Sequence, residues 1–113
     1  MLKQASTLPN VTGIELVGTW DDDMIVGSVH SVAYIETLYW LDRCGYDGWL
    51  SMDQYPYRED AVGAIGESIQ WLMQFDQVYQ AHKADLDRLV TLGDAVETSR
   101  FMRSILFAGQ PVA

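Results

Sequence analysis

Cysteine is almost absent: Cys44 stands alone. No disulfide and no cysteine metal site can therefore form within one chain, which fits a reducing, cytoplasmic setting. Cys44 falls near an expected helix end with no catalytic partner beside it, so it reads as structural. Basic side chains are scarce as well. Seven Lys and Arg stand against sixteen Asp and Glu, for a formal net charge of −9. That balance argues against nucleic acid and anionic membrane surfaces as partners, because both reward cations. It leaves open an acidic solvated surface or carboxylates gathered for cations. No apolar run approaches the roughly 20 residues of a membrane span. Residues 1 to 10 lack the apolar run of a signal peptide. There is no internal repeat and no low-complexity segment.

What is present is a chain of 113 residues, enough for one small domain, with four Trp and six Tyr as large core or pocket candidates. Val11 to Val17 carries a strand signal between glycines. Thr19 to Ser28 reads as a loop holding Asp21, Asp22 and Asp23. Ser28 or Ser31 can cap a helix to about Arg43, with Val32, Ile35, Leu38, Tyr39 and Asp42 in one row. Gly45 is placed to end it in a left-handed conformation. Asp47-Gly48 then turns the chain into a strand from Trp49 to Met52, with Trp49 read as core.

A long helix is expected from Glu59 to about His82, with Val62, Ile65, Ile69, Leu72, Met73 and Val78 at spacings of three and four. Gly63 and Gly66 weaken it by roughly 1 kcal/mol each and suggest close packing on a sheet. Ala84 to Leu92 forms a shorter helix ending at Gly93. Asp94 with Glu97 fits a capping arrangement for a last helix to about Phe107. Strand, helix, strand and then helices indicate an α/β fold with a parallel sheet, although two strands do not make a stable sheet by themselves.

The carboxylates carry the chemistry. In an extended segment alternate residues point the same way, so Asp21 and Asp23 could reach one cation together. Oxygen-rich sites of this kind suit Mg or Mn; a solvated acidic turn is the plainer alternative. Asp53, at the end of its strand, is either an active-site carboxylate or a cap for the following turn. His30 reads as a packing or capping residue. Arg58 reads as a helix-entry partner of Glu59 or Asp60.

Asp21-Asp22-Asp23-Met24-Ile25-Val26-Gly27-Ser28-Val29-His30, a helix, and then Gly45-Tyr46-Asp47-Gly48-Trp49-Leu50-Ser51-Met52-Asp53-Gln54 resemble the last two βα units of the xylose-isomerase-like sugar isomerases, most nearly the L-rhamnose isomerase type. The likeness covers roughly residues 20 to 107. It implies a partial (β/α)₈ barrel: an atypical lead-in and strand over 1–20, the last βα units over 21–82 and C-terminal helices over 83–113. It implies a divalent metal (Mn, Mg or Co) held by Asp21, Asp23 and Asp53, with Trp20 and Arg58 near the sugar, and aldose–ketose interconversion with the metals as Lewis acids.

A complete barrel needs about 250 residues, and the family's remaining Glu, Asp and His ligands have no counterpart here. Gly13 to Gly18 looks more like an early barrel strand than the seventh. The expectation is thus a shortened barrel, inactive alone. Its open strand edges would be completed in a homo-oligomer, or by another chain that supplies the missing strands and restores sugar binding. The alternative is a non-catalytic assembly or interaction module.

Overall fold

The computed structural model describes residues 13–16, 25–53 and 60–110. Two four-residue strands, β1 (Gly13–Leu16) and β2 (Trp49–Met52), flank helix α1 (Ser31–Arg43). Three more helices follow: α2 (Ala61–Ala81), α3 (Lys83–Leu92) and α4 (Ala95–Leu106). The strands pair in parallel, with Gly13 opposite Trp49 and Leu16 opposite Met52.

This corrects the expected fold. The described chain is mostly helical, four helices with a two-stranded ribbon, and not a partial (β/α)₈ barrel. The order of elements was legible in sequence, but it does not decide architecture. A barrel wall needs a strand on either side of each strand, and among the described residues β1 and β2 have only each other. Most of the other described residues lie in helices that bury faces on one another.

The turn before α1 shows how closely local chemistry sets the chain path. Ser28 N–H donates to Ile25 O at 3.0 Å, and Gly27 between them has φ +90. A type II turn requires that sign of φ at its third residue, which glycine supplies without strain. Val26, at the turn's second position, is almost fully buried. Its N–H donates to Ser68 Oγ on α2 at 3.0 Å, and Ser68 donates in turn to Ala64 O at 2.9 Å. The buried hydroxyl therefore satisfies a loop N–H that packing has removed from water.

Helix α1 ends as expected. Gly45 has φ +69, its N–H donates to Asp42 O, and the Tyr46 N–H donates to Leu41 O. That pair of bonds is the Schellman arrangement. At its start the residue in the N-cap position is His30, exposed and left-handed (φ 59), and its side chain makes no capping bond. A capping role for His30 is thereby corrected. Asp60 caps α2 by accepting from Gly63 N–H, and Asp94 caps α4 by accepting from Val96 and Glu97 N–H.

The core gathers where α1 crosses α2, with contributions from the later helices. Ile35 is fully buried; Tyr34 stacks on Phe75 at 5.8 Å; Tyr39, Tyr79, Leu86 and Met102 close the cluster. On α2 the buried residues are Ala64, Ser68, Phe75 and Tyr79. The expected apolar row of that helix is split: Leu72 and Val78 pack partly buried against the core, whereas Val62 is 80% exposed, Met73 54% and Ile69 43%. Trp49, expected in the core, is 83% exposed. The burial of β2 alternates, so Leu50 and Met52 pack inward and Trp49 faces away. Gly66 packs against nothing: a Cβ there would meet no atom within 4 Å.

Candidate interaction site

Of the five residues singled out for a metal–sugar site, Asp21, Asp23, Trp20 and Arg58 lie outside the described residues. Asp53 is described; it is exposed just beyond β2. Among the described residues no three His, Cys, Asp or Glu side chains converge to hold a metal ion. A hard divalent cation takes about six oxygen ligands, and Asp53 by itself does not fit Mn, Mg or Co. No helix of the described residues is long and apolar enough to cross a membrane.

The structure instead brings together a set of polar residues that no sequence motif marks. Asp42 on α1 accepts from Tyr79 Oη at 2.5 Å and pairs with Lys83 Nζ at 3.0 Å. Asp87 on α3 accepts from Tyr39 Oη at 2.9 Å and pairs with Arg43 at 3.3 Å. These groups line an open cleft of 460 Å³ between α1, the end of α2 and α3. The only signal available in sequence was Asp42 and Tyr39 within the apolar row of α1; their partners lie 37 and 48 residues away.

The electrostatics of this cluster run against acid–base chemistry. The hydrogen bond from Tyr79, and then the one from Lys83, hold the Asp42 carboxyl below the usual carboxylate range. Burial, and then the bond to Asp42, push the Tyr79 phenol well above its ordinary value; burial, and then the bond to Asp87, also raise Tyr39. A general base or acid works best with a pKa near the working pH, and these three groups are moved away from it. Each carboxylate already has a phenol and a cation, so the cluster is a clasp that ties three helices together.

The second constellation is apolar. Between α1, α3 and α4 run two adjoining clefts, of 690 and 310 Å³, that share Val32, Leu89, Val90, Thr98 and Met102. Of their lining residues Val32, Val90 and Phe107 stand 45, 47 and 60% exposed, and Val96, also on α4, is 58% exposed. The larger cleft has one acidic and one basic lining residue. Asp94 sits at the N-terminus of α4, and Arg103 lies in its last turn. Arg103 makes no ion pair among the described residues, whereas Arg100 pairs with Glu97 one turn away. Isolated exposed apolar residues need no explanation, but a concave run of them on one side marks an interaction surface.

No protein-family model, curated protein or solved structure matches the chain.

Proposed function

We propose that the chain is a non-catalytic assembly module that pairs with a second copy of itself through α4 and the groove beside it. The observation that supports this reading most directly is the self-complementarity of that surface. Helix α4 carries an exposed apolar side chain, Val96, as well as an apolar groove that the exposed Phe107 helps to line. Its two charges, Asp94 and Arg103, lie toward opposite ends of one helix. A two-fold axis across α4 sets apolar side chain against groove and brings Asp94 of each copy toward Arg103 of the other, as an isologous interface requires. Obligate interfaces of this type are apolar at the centre with few charges.

The isomerase reading draws on the sequence likeness over residues 20 to 107. Its support among the described residues is Asp53 alone, exposed and with no metal-holding group around it. The assembly reading therefore stands ahead of it.

Light scattering across a hundredfold range of concentration tests the proposal. The expected mass is a multiple of one chain, falling toward a single chain in Arg103→Glu and in Phe107→Ser. A wild-type mass of one chain at every concentration would overturn it. Manganese separates the two readings: an unchanged melting temperature accords with an assembly module, and a rise that Asp53→Asn abolishes would return the metal site to favour.

A further inference from the structure

We infer that the outward face of α2 is a docking surface for a basic amphipathic helix of a different protein. This surface is distinct from the α4 groove, and the inference does not depend on the pairing proposed there. Val62, Gly66, Ile69 and Met73 recur at spacings of four, three and four, which places them in one line along the helix. Val62 and Met73 are more than half exposed and Ile69 nearly so. Gly66, in the middle of the line, opens onto empty space, since a Cβ there would touch nothing within 4 Å. A partner backbone can approach closely at such a position. Helix-in-groove recognition uses this pattern of apolar anchors on successive turns.

Charge decides the kind of partner. Asp60 lies at the N-terminal end of the line. Asp76 lies near its C-terminal end, beside the loop that carries the exposed Asp47. Residues 44 to 82 carry six Asp and Glu against one basic side chain, Arg58. A second copy fits this face poorly in either direction. Antiparallel pairing would bring Asp60 toward Asp76 of the other copy, and parallel pairing would set each carboxylate against its own equivalent. The contrast with α4, whose two ends carry opposite charges, is what separates a self-pairing surface from one that needs a different chain. A helix with apolar residues on successive turns and Lys or Arg toward both ends satisfies both the stripe and its acidic margins, and the chain's net charge of −9 steers it toward the face.

The probe is an 18-residue Leu–Lys amphipathic peptide with a fluorescent label, followed by anisotropy against the full chain. A Leu–Glu peptide of the same pattern serves as the control. The Lys peptide should bind and the Glu peptide should not, with affinity falling as salt rises. Ile69→Ser with Met73→Ser should weaken binding by more than about tenfold, from lost apolar burial. Asp47→Asn with Asp76→Asn should weaken it by about fivefold, the scale of two rim charges. These four positions are exposed, and circular dichroism shows whether each variant keeps its helix content. Equal binding of both peptides, or binding that the Ser pair leaves unchanged, would overturn the inference. So would a wild-type oligomer mass that Ile69→Ser reduces and Arg103→Glu does not, because that result would give the face to a second copy.

Discussion

Gly27 and Ser68 hold the turn before α1 onto α2, and each does so for one chemical reason. A Cβ on Gly27 would sit 2.7–2.8 Å from ring atoms of Trp71, and φ +90 is itself disfavoured for any side chain. Gly45 has φ +69, but open space lies around it. Gly45→Ala should therefore cost only the left-handed penalty of about 1–2 kcal/mol. Gly27→Ala should cost clearly more, because Trp71 must also move. Denaturant midpoints of the two variants measure the difference. Ser68 is fully buried and supplies the partner of the Val26 N–H. Ser68→Ala would leave that donor without one, at a cost of about 1–3 kcal/mol; a loss below about 0.5 kcal/mol by chemical denaturation would mean the bond contributes little. Gly27 and Ser68 could be read as turn and helix residues from sequence. Their joint role could not, since 42 residues separate Val26 from Ser68.

Between elements, the Tyr–Asp clasp sets how α1, α2 and α3 respond to pH. Asp42 has a depressed folded-state pKa, so its contribution is present above the unfolded value near 4 and is lost as pH falls through the folded one. Tyr79 has a raised folded-state pKa, so its contribution is intact below its unfolded value near 10 and declines as pH rises beyond that. Tyr79→Phe removes the bond that is the main cause of the Asp42 shift. It should lower stability at pH 7 by about 1 kcal/mol, because Asp42 is half exposed and keeps Lys83. It should also flatten the decline both below pH 4 and above pH 10. Denaturation midpoints at pH 3, 7 and 10.5 check both signs; parallel curves for wild type and variant would show that the clasp is not the titrating element. Some helix limits were legible in sequence, because caps and stops are local: Asp94, Gly45 and Gly93 sit where the chain pattern put them. Others were not. The helix expected from Glu59 begins at Ala61 with Asp60 as its cap, and His30, not Ser28 or Ser31, holds the N-cap position of α1. Which helical face is buried fared worse. Of the apolar row expected on α2, Leu72 and Val78 reach the core only partly and Val62, Ile69 and Met73 are exposed, whereas full burial falls on Ala64, Ser68, Phe75 and Tyr79. Two apolar faces on one helix cannot be ranked without knowing what lies against each.

At the scale of the whole molecule, the described helices leave apolar surface on two sides: the α4 groove and the outward face of α2. If α4 pairs with a second copy, unfolding is coupled to dissociation and the melting temperature rises with protein concentration. Differential scanning at 5 and 500 μM should show an increase of several degrees in the wild type and none in Phe107→Ser. A concentration-independent wild-type melt would argue for a folded monomer.

The sequence by itself determined the local matters: where most helices stop, which glycines turn the chain, the parallel alternation of β1, α1 and β2, and the acidic balance that disfavours polyanionic partners. These follow from bonds and torsions between near neighbours. The tertiary structure decided the rest. Among the described residues two short strands pair only with each other and do not make a barrel, Asp53 is exposed with no cluster of metal ligands about it, and four side chains remote from their partners meet Asp42 and Asp87 in one clasp. Those outcomes depend on which faces the helices bury against one another, a competition between surfaces far apart in the chain that no local pattern resolves.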